Sequence, residues 1–411
     1  MNKMTLILHI GTEKTGTTLI QKWLYANRSR LSAQGVFLSD MLGWENNRRL
    51  VAYFRTEPDE FWTFNGLRDS DDKNRYFADF LTALEAEIES ASDNHHSMVI
   101  TSEHFHSRLT DEDDLTRFSA FCRKYFKDHV VVCYLRPQWD VRKSLYSTDL
   151  KNNESRAFDD YRNDASDRDR YFNYMDLYRR WKRNFPYAEM EFRSYDRDAF
   201  TGGDIRRDFL STFPSEIDPT ELEFSDRREN ESLTLLEAAA YMAINRAVPL
   251  FENEGVNRRN YDYKKLISGI SQLKLGKITD SHSHDIYEVF KKSNGQLFSE
   301  VFAGVDIFGY PREEEDATAR MSLKDVAILV ENLVECLVRY FDRRVLSEQA
   351  IDLIRDAALA LGGEAAMQRK EMIALLEIAA RARPEGPVIK SKLNEWRRSM
   401  SSSEVSGELG D

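Results

Sequence analysis

One stretch near the amino terminus restricts the folds open to this chain more than any other: Thr5 to Leu24, TLILHIGTEKTGTTLIQKWL. A continuous apolar run ends at Gly11 and a helical pattern opens after Gly16, so the segment reads as a buried strand, a glycine-bracketed turn and a helix. Such a turn seats an anion, because its backbone N–H groups and the positive end of the helix dipole face the same point. The functional question is which anion.

The rest of the sequence supplies the sheet around that turn. VFLS (Val36 to Ser39), SMVITS (Ser97 to Ser102) and HVVVCYL (His129 to Leu135) are short apolar runs rich in β-branched residues. Helical spacing fills the intervals: Asn46 to Arg55, Arg75 to Ile88, and a helix from Asp113 with Thr110 and Asp111 as capping candidates. Tyr174 to Phe185, Ile205 to Phe213, Leu233 to Arg246 and His284 to Phe302 continue the pattern. Alternation of this kind predicts an α/β fold with a parallel sheet covered by helices on both faces. From Ser322 onward VAILVENLVECLVRYF, AIDLIRDAALAL and EMIALLEIAARA carry helical signal and no strand signal. At 411 residues the chain exceeds one ordinary core. The expected division is an α/β domain over 1–315, a C-terminal all-helical extension over 316–399 that packs on the core or forms a homo-oligomer, and a disordered tail over 400–411.

Charge and cysteines exclude several functions. A net charge of −12 with no basic stripe argues against nucleic acid as a partner, so an anionic ligand must be met locally. Cys122, Cys133 and Cys336 form neither a disulfide framework nor a zinc cluster, which fits a reducing compartment. No stretch approaches ~18 apolar residues and MNKMTLILHI reads as a core strand, so a cytoplasmic protein without a transmembrane segment is expected. His282 and His284 resemble a metal doublet, but no acidic or cysteine partner has useful spacing and a loop at a helix start is expected. No metal is expected.

Ligands of open α/β sheets gather at the carboxyl ends of the strands. Three ends qualify: Gly11 to Thr18, Glu103 to His106, and Arg136 with the helix behind it, where Pro137 suits the first position and Ser144 falls about two turns in. Gly11 and Gly16 have the spacing of a nucleotide P-loop, but Thr17 and Thr18 stand where a nucleotidase carries Lys and then Ser or Thr. Lys14, inside the turn, is its one lysine, with Thr15, Thr17 and Thr18 as hydroxyl donors. The usual seat of a magnesium nucleoside triphosphate is therefore incomplete.

HIGTEKTGTTLIQKWL resembles the 5′-phosphosulfate loop of sulfotransferases that use 3′-phosphoadenosine 5′-phosphosulfate (PAPS). VVVCYLRPQWDVRKSLYS is similar to that family's 3′-phosphate segment, with Arg136 followed eight positions later by Ser144. MEFRSYDRDAF matches its strand ending in Tyr and an acidic residue, which would place Tyr195 near the adenine, and RRENESL with Arg227 and Arg228 looks like its arginine-bearing loop. The likeness covers roughly residues 5 to 310 and is nearest to bacterial carbohydrate sulfotransferases. It implies a P-loop-like core, PAPS as sulfuryl donor, and an acceptor hydroxyl on a glycan, glycolipid or polysaccharide precursor. It also implies that Lys14 stabilises the leaving phosphate and that Gly11, Thr15, Gly16, Thr17, Thr18, Arg136 and Ser144 hold the nucleotide.

For the base, the likeness implies a carboxylate or histidine just past SMVITS. Glu103 is the first choice, with His104 and His106 as rivals. If the strand stayed extended to 106, Glu103 and Phe105 would share one face and the two histidines the other. Trp44, Glu45 and Asn46 are read as lying where the acceptor enters. The charged stretch between Lys151 and Arg170 reads as a loop or lid unable to bury a face. Two rival readings stand beside the transferase: a P-loop kinase using ATP, and a non-catalytic nucleotide-binding scaffold.

Overall fold

The computed structural model describes residues 3–225, 233–267 and 282–311, apart from 44, 157, 159–160, 162–165, 167 and 253–254; beyond 311 it describes 386–395 and a few isolated positions. Apart from those positions, the C-terminal segments from Ser322 lie outside the described residues, as do Cys336, Arg227, Arg228 and Trp44. The chain divides into two compact units, one formed by Met1–Leu233 with Ile278–Asp316 and the other by Thr234–Lys277 with Ala317–Asp411.

The first unit is built on a five-stranded, wholly parallel sheet in the order β2-β3-β1-β4-β5. Its strands are β1 (Thr5–His9), β2 (Val36–Phe37), β3 (Ser97–Thr101), β4 (Asp128–Leu135) and β5 (Glu189–Ser194). β1 lies in the middle, in register with β3 (Ile7 opposite Val99) and β4 (Ile7 opposite Val130). Successive residues face opposite sides, so a central strand buried on both faces is apolar on both, as Leu6, Ile7 and Leu8 are. Leu6, Leu8, Met98, Ile100 and Val131 enter one core, while Ile7, Val99, Val130 and Val132 enter the other.

The second of these cores is closed by Ile20, Trp23 and Leu24 of α1 (Thr17–Ala26), Leu31 of α2 (Arg28–Ala33) and, further along the chain, Ile205 and Phe209. The first is covered by α3 (Arg48–Phe54), then, past the short α4 (Glu60–Phe64), by helices from the region between β2 and β3. There the single pattern expected over Arg75 to Ile88 is broken into α5 (Ser70–Tyr76) and α6 (Phe80–Ala91). After β3 comes α7 (His104–Ser107), a single turn, and α8 (Glu112–Tyr125), where Asp111 accepts hydrogen bonds from the N–H groups of Asp113 and Asp114. α9 (Gln138–Asn152) follows β4 with Pro137 as its N-cap, one position earlier than expected. α10 (Tyr174–Asn184), α11 (Ile205–Leu210) and, after the second unit's insertion, the helix over Ser283–Val301 complete the unit.

Past Asn152 the described residues of the 151–170 stretch are loop and turn, as expected, but against expectation they bury a face. Tyr161 is 1 % exposed, its hydroxyl hydrogen-bonds Asp149, and its carbonyl accepts from the buried Arg142 at 2.5 Å. Arg142 also stacks on Phe158 at 4.3 Å. Two aromatics among many charges were enough to anchor the described part of the segment, because a buried guanidinium both packs and donates.

In the second unit, α12 (Leu235–Ala247) starts on a capping box between Thr234 and Glu237, a two-stranded antiparallel ribbon pairs β6 (Phe251–Glu252) with β7 (Gly255–Val256), and α13 (Arg258–Ile267) follows. The helix over Ser283–Val301, in the first unit, is α14. His282 there hydrogen-bonds Asp285 at 3.2 Å, and the His284 ring meets the Tyr310 ring edge-on at 4.9 Å. No helix among the described residues is long and apolar enough to cross a membrane.

Candidate functional site

The ladder between β1 and β4 runs on into the turn. Ile10 donates to Val132, Thr12 donates to Tyr134 at 3.0 Å, and Tyr134 donates back to Gly11 at 2.7 Å. The chain then leaves the sheet through residues with positive φ, Gly11 at 115°, Lys14 at 67° and Gly16 at 76°. Thr15, fully buried, spends its hydroxyl on the Thr12 carbonyl at 2.7 Å and so closes the turn from within. Gly16 is the N-cap of α1. Among the described residues no hydrogen bond leads from the backbone N–H groups of Lys14, Thr15, Gly16, Thr17 and Thr18. Successive N–H groups in alternating left- and right-handed backbone form an anion-binding concavity, and here the helix dipole adds to it.

Lys14 reaches the Thr148 hydroxyl on α9 at 2.6 Å. Burial lowers its pKa, against the opposing charge of Glu13. Arg136, at the end of β4, donates to the Lys14 carbonyl at 3.4 Å and lies over the Tyr195 ring at 5.9 Å. Tyr195 directly follows β5, its N–H bonded to Leu135, and its ring edge would stand 3.2 Å from a Cβ on Gly16. The turn, Arg136 and Tyr195 therefore meet at neighbouring strand ends. Ser144 sits half-buried on α9, where its carbonyl accepts from Thr148.

The third strand end comes to the same place. A Cβ on Gly11 would lie 3.4 Å from the Glu103 Cα and from the His106 Cβ, so the turn runs in contact with α7, and its φ of +115° is what favours glycine there. The chain does not stay extended past β3: His104 to Ser107 are helical, which replaces the expected two-residue alternation by a three-to-four-residue one. Glu103 is the N-cap of that turn, and its Oε2 accepts from Gln21 at 2.6 Å. His104 Nε2 stands 4.0 Å from Glu103 Oε1, and burial lowers the His104 pKa. His106 is 1 % exposed and occupied at both nitrogens, by the Glu13 N–H at 3.4 Å and the Tyr171 carbonyl at 2.8 Å. Accepting at Nδ1 and donating at Nε2 makes it a neutral structural link, and burial lowers its pKa accordingly.

Four residues of this neighbourhood were not singled out from the sequence: Glu13, Gln21, Thr148 and Tyr171. Glu13 accepts from the Tyr171 hydroxyl at 2.8 Å. Burial raises its pKa, yet hydrogen bonds from Ser107 and Tyr171 outweigh that and leave it below the ordinary carboxylate value. Gln21 had one sequence signal, its place one helical turn after Thr17, but nothing local names Glu103 as its partner.

No family model matches the chain, and no solved structure matches it. It is 29% identical over 224 residues to an uncharacterized protein of Archaeoglobus fulgidus, a match covering 53% of this chain and 57% of that protein. The chain thus spans a little over half the length of this relative.

Proposed function

We propose that the chain is a PAPS-dependent sulfotransferase with a P-loop-like core, acting on a hydroxyl of a glycan, glycolipid or polysaccharide precursor. One observation carries the reading: five N–H groups with no partner among the described residues, and Lys14, surround a turn that has no lysine after Gly16, and Arg136 stands 3.4 Å from it. A second cation beside the anion seat suits a donor with two separate phosphates, which PAPS has and ATP lacks.

In this reading the phosphosulfate lies on the N–H groups of 14–18, and Arg136 and Ser144 hold the 3′-phosphate beside the adenine at Tyr195. The acceptor oxygen approaches sulfur in line with the bridging oxygen and gives its proton to Glu103. As the new O–S bond forms, the bridging S–O bond breaks and its electron pair stays on 3′-phosphoadenosine 5′-phosphate (PAP). Lys14 meets the charge that grows there. The sugar acceptor rests on the family resemblance. The buried, free thiols of Cys122 and Cys133 support a reducing, cytoplasmic compartment.

Calorimetric titration separates the readings. PAP is expected to bind at least tenfold more tightly than ATP with or without magnesium. Equal affinities, or a preference for ATP with magnesium, would overturn the sulfotransferase reading in favour of a kinase.

A further inference from the structure

Gln21 is 3 % exposed on α1, one turn behind the anion-binding end of that helix, among the apolar side chains Ile20, Trp23 and Leu24. An amide buried there without a partner would cost free energy that a leucine would not. Its partner is Glu103, 82 residues away, at 2.6 Å. The amide donates from Nε2 to Oε2. Among the described residues the other oxygen, Oε1, has no donor within hydrogen-bond length: His104 Nε2, at 4.0 Å, lies beyond it.

We infer that Gln21 is a positioning residue that fixes the Glu103 carboxylate with Oε1 turned to the acceptor, so that one rigid helix sets both the donor seat at its N-terminus and the base one turn later. This inference rests on the sulfotransferase reading above. Glu103 sits at the tip of a single helical turn, where a carboxylate without a second anchor samples several rotamers. The Gln21 amide removes that freedom before the substrates arrive. In the transfer step the acceptor proton passes to Oε1 while the acceptor oxygen bonds sulfur, and PAP departs with the bridging electron pair. Gln21 gains and loses no proton; it holds the receiving group still.

The test is a double-mutant cycle on the full chain with Gln21→Met, which keeps length and volume but not the donor, Glu103→Gln, and both together. Turnover is followed as transfer from sulfur-35 PAPS to 4-nitrophenyl glycosides, and to water where no glycoside accepts. PAP affinity is measured by calorimetry. Gln21→Met is expected to lower kcat roughly tenfold to thirtyfold while KM for PAPS and PAP affinity stay within about twofold, and to add nothing to Glu103→Gln, since the two act as one unit. Gln21→Asn, which withdraws the amide by one methylene, is expected to behave as Gln21→Met and replaces it should the methionine variant fold poorly. Losses that multiply in the double variant, or a change in KM in place of kcat, would overturn the inference. Wild-type protein that fails to bind PAP would overturn the sulfotransferase reading itself, whereas PAP binding with multiplying losses would remove Gln21 alone.

Discussion

Gly16→Ala is the substitution that most directly questions the turn, because its effect separates into a backbone part and a packing part. Gly16 has φ +76°, and a methyl there would meet Tyr195 Cε2 and Ile205 Cδ1 at 3.2 Å and the Tyr195 hydroxyl at 3.4 Å. The left-handed conformation costs an L-residue about 1–2 kcal/mol. The contacts add about 1 kcal/mol more, as overpacking does where neighbours cannot step aside. Tyr195 cannot do so freely, with Phe200 against its ring at 5.7 Å and Arg136 over it at 5.9 Å. Gly66 supplies the control: its φ is +68° and a methyl there meets nothing within 4 Å, so Gly66→Ala carries the backbone part alone. Thermal melts are expected to fall by about 2–8 °C for Gly66→Ala and by about 2–4 °C more for Gly16→Ala. PAP titration should weaken at least tenfold in Gly16→Ala and stay level in Gly66→Ala. Equal melting losses together with unchanged PAP affinity would refute the idea that Gly16 is glycine because Tyr195 closes on the turn.

Lys14→Met is expected to lower turnover by about 10²–10³, the usual consequence of removing one donor from a developing oxyanion, and a loss below threefold would exclude Lys14 from the leaving group. Since burial lowers the Lys14 pKa, its ammonium is lost sooner than an ordinary lysine's as pH rises; PAP affinity should therefore decline on the alkaline side below pH 10.5, and Lys14→Arg should abolish that decline. His9 is fully buried, its Nδ1 on Thr101 at 2.8 Å, and burial lowers its pKa from 6.5 to about 3. The unfolded chain takes up this proton below pH 6.5 and the folded chain does not, so the stability it preserves is complete above 6.5 and lost as pH falls towards 3. His9→Gln should flatten the melting temperature across that window, and an unchanged slope would show that other groups set the acid limit.

The legible part of the fold was its local part. Six of the helices outside the turn and three strands lie within a few residues of their sequence-based bounds, because an apolar period is a property of neighbouring residues. Exceptions arose where packing at a distance decided. Arg75 to Ile88 kept helical spacing yet broke after Tyr76, and the stretch past Lys151, charged throughout, anchors Tyr161 on Asp149 and Arg142.

The same division runs through the candidate site. The order of the residues by itself determined the seat: Gly11, Lys14 and Gly16 lie within one turn, and the missing lysine after Gly16 can be read directly. It also placed Glu103 and Arg136 at strand ends, since a run of β-branched residues followed by polar ones marks where a strand stops. Only the tertiary structure decided what those ends do to one another. The parallel order sets β3 and β4 on either side of β1, which brings Glu103 under Gln21 and Arg136 over the Lys14 carbonyl. It also curled His104 to Ser107 into a turn that commits His106 to Glu13 and Tyr171. Contacts across 82, 93 and 122 residues leave no periodicity in the chain, because they depend on which strands become neighbours.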